Sequence, residues 1–193
     1  MPKQQAPTPS PSGSPLAIAS LTLEPAVPGD AARIAALRTA AASDLTARYG
    51  HGHWSSDSTA RRVRLDLRRS MVCVARQDAR IIATLRLATK KPWAIDMKYF
   101  SACDRPLYLT SMAVDPALQR RGIGRRCVEE VRRIAEAWPA EAIRLDAYDA
   151  DAGAADFYRK CGFREVGRVT YRKIPLIYFE RIIEWPAAVE EDP

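Results

Sequence analysis

Apolar residues alternate with polar ones in some stretches of this chain and recur every three or four positions in others. The two periods interleave from end to end. Residues 17–24 (Ala-Ile-Ala-Ser-Leu-Thr-Leu-Glu) read as a first strand, closed by Pro25 and Pro28. Asp30 is placed to cap a helix over 31–42, with Ile34, Leu37 and Arg38 marking its period. A polar loop at 51–57 carries both histidines, His51 and His53, and leads into a basic helix at 58–69. Strands at 70–75 and 80–88 form a hairpin around Gln77-Asp78, and 91–105, with Pro92-Trp93, reads as a long irregular loop. A strand at 107–114 ends in a turn at Asp115-Pro116, and a helix runs on to about Ala137. A strand at 142–147, a helix at 152–161 and two strands at 163–171 and 176–184 complete the order, the last two meeting at Ile174-Pro175.

This pattern predicts one α/β domain over 17–186, with a Pro- and Ser-rich disordered tail at 1–16 and a short acidic tail at 187–193. The first residues lack the apolar core of a secretory signal, and no apolar run reaches the length of a membrane span, so a cytoplasmic protein is expected. Cys73, Cys103, Cys127 and Cys161 show no metal-ligand or disulfide spacing, and three of them fall in apolar periodic segments as small core residues. No metal is expected.

Candidate chemistry concentrates between the strand at 107–114 and the following helix, at Gln119-Arg120-Arg121-Gly122-Ile123-Gly124. Glycines at a helix start let the backbone approach a ligand, and the free N–H groups and positive end of the helix favour phosphate. A dinucleotide-binding reading needs a third glycine where Cys127 stands, and a Walker loop needs a Gly-Lys-Ser/Thr that is absent nearby. The chain's net charge of +7 invites a nucleic-acid reading. Six arginines against Glu129 and Glu130 between 119 and 133 place over half of that excess beside the glycine turn, where a phosphorylated cofactor would dock. The basic run at 61–69 reads as a solvated face, and no nucleic-acid-binding motif accompanies it.

About thirty residues further on, Asp151-Ala152-Gly153-Ala154-Ala155-Asp156-Phe157-Tyr158-Arg159-Lys160-Cys161-Gly162-Phe163 adds a second motif. Together the two segments resemble the hallmarks of the GCN5-related N-acetyltransferase (GNAT) superfamily, Q/R-x-x-G-x-G/A and N-x-x-A-x-x-F-Y-x-x-x-G-F. Ala154, Phe157, Tyr158, Gly162 and Phe163 match in register, and Asp151 stands where Asn is usual. Read from the residues, Asp151 caps a short helix, Phe157 and Cys161 face the core, and Tyr158 faces elsewhere.

The resemblance covers roughly a third of the chain. It implies a mixed sheet of about six to seven strands flanked by about four helices, whose central parallel strands splay apart to hold the pantetheine arm of acetyl-CoA. It implies cofactor contacts from Met112, Ala113, Val114, Gln119, Arg120, Arg121, Gly122, Ile123, Gly124, Arg125 and Asp151, an oxyanion-binding N–H near 112–114, and Tyr158 as the acid that protonates the leaving thiolate. The activity implied is acetyl transfer to a primary amine, with a non-catalytic acyl-CoA-binding module or a peptide/protein N-acetyltransferase as alternatives. Many relatives carry a Glu eleven residues before the Gln of the first motif, and here Tyr108 holds that place. Asp146, Glu180, His51 and His53 therefore remain open as the general base. Trp54, Trp93, Tyr108 and Tyr178 suggest an apolar-walled pocket for a small amine. The apolar last strand (Ile177, Phe179, Ile182, Ile183) reads as either a homodimer edge or ordinary core.

Overall fold

In the computed structural model, residues 20–184 are described. The expected tails at 1–16 and 187–193, and the first residues of the strand expected at 17–24, lie outside them. The elements run in the order β1 (Glu24–Pro25), α1 (Ala31–Tyr49), α2 (Ala60–Arg69), β2 (Met71–Gln77), β3 (Arg80–Ala88), β4 (Pro106–Val114), α3 (Ile123–Ala137), β5 (Ala142–Tyr148), α4 (Ala155–Lys160), β6 (Arg164–Tyr171) and β7 (Ile174–Ile182). The seven strands form one sheet in the order β1-β2-β3-β4-β5-β7-β6. Among the described residues, only β4 and β5 run parallel.

Strand alternation divides the core between the two faces of the sheet. On one face, Leu85, Leu109, Leu145 and Phe179 pack against Cys127, Val128 and Val131 of α3 and against Tyr158 of α4. On the other, Val72, Val74 and Ile81 pack against Ile34 and Leu37 of α1 and Val63 of α2. Cys73, Cys127 and Cys161 are buried core residues, as their segments predict. Burial pushes the Cys73 thiol to about 11 and that of Cys127 to about 12, so both stay protonated and inert.

Several boundaries depart from the sequence reading. Helix α1 continues seven residues past the expected end, because Leu45 and Tyr49 extend the apolar spacing and Gly50 (φ +77°) closes it. Helix α4 starts at Ala155 with Ala154 as its N-cap, so Asp151 is not a cap. Strands β6 and β7 turn at Arg172-Lys173, both with positive φ, rather than at Ile174-Pro175. Strand β7 lies between β5 and β6, with Ile177 and Phe179 in the core, so it is not a dimer edge.

The segment 91–105 is pinned across the sheet by a buried ion pair. The Arg144 Nε donates to Glu180 Oε1 at 2.9 Å, and both side chains are fully buried. Glu180 also accepts from the Ser101 hydroxyl at 2.7 Å, and Tyr178 accepts from the Asp96 N–H at 3.2 Å. Glu180 is thus committed to holding this segment, which removes it as a general base. Removing one partner strands the other charge in a dry site, a loss of about 3–5 kcal/mol. Glu180→Ala is expected to lower unfolding free energy in urea by that amount, while the double change Arg144→Met/Glu180→Leu recovers most of the loss.

Candidate functional site

Strands β4 and β5 are registered over only three pairs, Pro106 with Ala142, Leu107 with Ile143 and Tyr108 with Arg144. Beyond Tyr108 the strands part, and β5 pairs with β7 over its whole length instead. On the opposite edge of β4, the register with β3 slips between Thr84 and Arg86. Ser111 and Met112 have no registered partner there, and Ser111 has φ +53°, an uncommon conformation for a residue with a side chain. This is a β-bulge, which turns the strand and frees its backbone groups. The end of β4 thus presents open backbone to the gap between the parted strands.

The glycine turn meets that gap. Gly122 is the N-cap of α3 at φ +87°, and Arg120 is also left-handed at φ +60°. A Cβ on Gly124 would lie 3.2 Å from the Phe157 ring, so glycine there allows α3 and α4 to close together. The Gln119 Nε2 donates to the Val114 carbonyl at 3.2 Å and ties the turn to the strand end.

Two cavities meet at the end of β4, and both are lined by Ala41, Leu45, Met112 and Ala113. The first, about 560 Å³, is bounded by Val114, Gln119, Arg120, Gly122, Gly124 and Arg125, by 151–154, and by Phe157 and Tyr158. Of the cofactor-binding residues expected from sequence, only Arg121 and Ile123 are not brought to it. Arg121 is exposed, and Ile123 is 4% exposed in the core. Arg48 and Tyr49 of α1 line it as well; sequence reasoning missed them by ending the helix early, although the Leu45–Tyr49 spacing was available.

The second cavity, about 520 Å³, lies between α1, α2, the bulge and the end of β5. Its walls are Arg38, Arg62, Asp66 and Arg86, the polar loop Ser56-Asp57-Ser58, and the aromatic rings of Trp54 and Tyr148. This is not the apolar pocket expected. Trp93 is 90% exposed, while Tyr108 and Tyr178 are sealed against Ile95 and Phe100, so only Trp54 of that set reaches the cavity. The basic helix, read as a solvated face, contributes Arg62 and the buried Asp66. Asp66 interrupts a run of arginines three positions after buried Val63, and that was the signal available in the sequence.

The arginines near the glycine turn are also less available than their number implies. Arg126 and Arg133 both pair with Glu130 at 3.0 Å, and Arg132 pairs with Glu129 at 2.7 Å and with Glu136. Arg120 and Arg125 are the two of the six that line the first cavity.

Tyr158 is 8% exposed and packed among Phe157, Phe163 and Phe179, with ring centroids 5.1 to 5.9 Å away. It is more deeply buried than Phe157, contrary to the helical-face reading. Burial, with the nearby Asp146 charge added, pushes its phenol well above the ordinary value. Asp146 follows Arg144 by two positions on β5 and precedes Tyr148 by two. It therefore stands on the same face, between the sealed ion pair and the second cavity. Burial pushes its carboxyl above the ordinary aspartate range, against the lowering effect of a hydrogen bond from its own backbone N–H. Asp146 is not part of either cavity wall, and neither are the histidines. Both histidines are exposed, and His53 stacks on Tyr148 with centroids 6.4 Å apart.

The fold is shared with known proteins. An acetyltransferase of the GNAT family from Streptococcus agalactiae superposes with a TM-score of 0.70 at 15% identity, over 86% of this chain and 96% of that one. The ribosomal-protein-S18-alanine N-acetyltransferase of Escherichia coli gives 0.64 at 17% identity, over 88% and 97%. The yncA protein of Salmonella typhimurium, solved with its cofactor acetyl-CoA, gives 0.62 at 16% identity, over 90% and 99%. No curated protein sequence matches the chain. The sequence model of the acetyltransferase (GNAT) family matches residues 35–163, which span both motifs, β4 and the parted strands, and the chain belongs to that family.

Proposed function

We propose that this protein transfers the acetyl group of acetyl-CoA to a primary amine of a small molecule. The observation that carries the reading is the meeting of two cavities at Met112 and Ala113, one headed by a helix N-terminus and the other enclosed by polar side chains. The first fits the cofactor: the α3 N-terminus with Arg120 and Arg125 suits a pyrophosphate, and the gap between β4 and β5 suits an extended arm. A volume of about 520 Å³ in the second is in the range of small-ligand sites, which favours a small acceptor over a protein tail.

Bound there, acetyl-CoA supplies an acetyl thioester. The chain's own groups then have three tasks. Backbone N–H groups freed at 112–114 offer hydrogen bonds to an oxygen that gains negative charge. Asp146, beside the second cavity rather than in its wall, accepts the proton of the incoming ammonium through an intervening water, a role helped by a carboxyl raised above the ordinary aspartate value. Tyr158, held as a neutral phenol, gives its proton to the sulfur as the carbon–sulfur bond breaks and the new carbon–nitrogen bond forms, and the proton that the acylated nitrogen sheds restores the phenol.

The activity is tested by mass spectrometry of protein incubated with acetyl-CoA and a pool of amino acids, polyamines, aminoglycosides and short peptides. An acetylated small amine is expected, and acetylation of peptides alone would overturn the small-molecule reading. Tyr158→Phe is expected to lower kcat by about 100-fold or more with acetyl-CoA affinity retained, as general acid catalysis contributes roughly that much. Below its pKa, Asp146 is protonated and cannot accept a proton, so kcat/KM falls as pH drops through that raised value. In Asp146→Asn the acid limb of the profile disappears and the plateau drops, and an unchanged limb would assign the base elsewhere. Gly124→Val drives a branched side chain against the Phe157 ring and is expected to weaken acetyl-CoA binding in calorimetry by about tenfold or more.

A further inference from the structure

One feature of the second cavity is out of balance. Asp66 is 6% exposed, accepts from Arg38 Nη1 at 3.1 Å and from Arg86 Nη1 at 3.0 Å, and forms a longer ion pair with Arg62 Nε at 3.8 Å. Three arginines against two carboxylates, Asp66 and Asp57, leave one positive charge in excess in the cavity wall. Arg86 uses its Nε on the Thr110 hydroxyl at 2.9 Å. Arg38 has no such second partner. Its Nε and Nη2 are both buried without a hydrogen-bond acceptor among the described residues.

A purely architectural Arg38 would need only the Nη1 contact that ties α1 to α2. The unused atoms are the two parallel donors along one edge of the guanidinium, whose spacing matches the two oxygens of a carboxylate. Buried donors are seldom left unpaired, and an orphaned pair just behind the surface of a cavity-lining residue points to a missing acceptor. Burial also pulls the Arg38 pKa below the ordinary arginine value although Asp66 opposes the shift, so its charge is incompletely compensated by the protein. Arg38 lies three and seven residues before Ala41 and Leu45, the α1 residues common to both cavities. An anion held on its free edge therefore sits on the acceptor side, along the helix face that leads to the bulge at Met112 and Ala113.

The geometry points to an acceptor that carries a carboxylate as well as its amine, an amino-acid-like molecule anchored by the Nε–Nη2 edge of Arg38. This rests on the reading of the second cavity as the acceptor pocket of an acetyltransferase. Arg62 and Arg86 add to the field that draws in the anion, and Asp66 holds the Arg38 fork in orientation. Simple alkylamines and polyamines, which bring only positive charge to this wall, are poor acceptors.

The test compares each proteinogenic amino acid with its own carboxamide, in turnover with acetyl-CoA and in calorimetric binding to protein saturated with CoA. At least one acid is expected to exceed its carboxamide by roughly 10- to 100-fold in kcat/KM, mostly through KM, the usual worth of a bidentate charged contact. In Arg38→Gln that ratio collapses toward one, and in Arg38→Lys it recovers only in part, since an ammonium lacks the fork. Melting temperature and CoA affinity report whether each variant is folded. If both variants unfold, the wild-type ratio alone decides. Acids that bind but are never acetylated would sink the enzymatic reading and leave the carboxylate site standing. Carboxamides or plain amines used as well as acids, or no acid bound at all, would overturn the carboxylate site.

Discussion

The parting of β4 from β5 after three registered pairs is the constraint on which the site depends. Parallel strands normally stay hydrogen-bonded along their length, and leaving two edges open costs their backbone groups a partner. Here β5 is held over its full length by β7, while β4 is diverted by the bulge at Ser111 and Met112. The sheet stays continuous at one end and opens at the other. Because the opening lies where α3 begins, the free backbone of β4 and the free N–H groups of the helix face the same space. The two cavities are the two sides of that opening.

Charge is used locally and in different ways along the chain. On α3, most arginines are spent on glutamates one turn away, which supports the helix but leaves Arg120 and Arg125 to meet the first cavity. On α2 the ratio is inverted, with one buried Asp66 answering arginines from α1, α2 and β3. The first arrangement is self-contained and the second is left cationic. That difference separates a stabilising face from a recognition surface, although both read as basic helices in the sequence.

One face of β5 passes from structure to chemistry in three steps. Arg144 is sealed with Glu180 beneath the segment 91–105, Asp146 is desolvated without an ion-pair partner, and Tyr148 lines the open cavity. Strand alternation alone sets this order. Burial is what lifts the Asp146 carboxyl and, with the Asp146 charge added, the Tyr158 phenol, so the two groups proposed to move protons owe their properties to the packing around the opening.

The sequence by itself determined the order of elements, the single sheet, the glycine-headed helix and the Phe157-Tyr158 segment, because each rests on local periodicity, turn chemistry or a motif of fixed spacing. It also placed most of the first cavity's lining, since that lining comes from two contiguous stretches. Only the tertiary structure decided that Glu180 is a structural anchor, that His51 and His53 stand outside both cavities, and that Trp93 is on the surface. The second cavity was illegible for the same reason. Arg38, Asp66 and Arg86 come from three elements separated by 28 and 20 residues, and no local period records that they share one buried carboxylate. Burial and pairing across a sheet are properties of packing, and packing decides which of many arginines is left with a free edge.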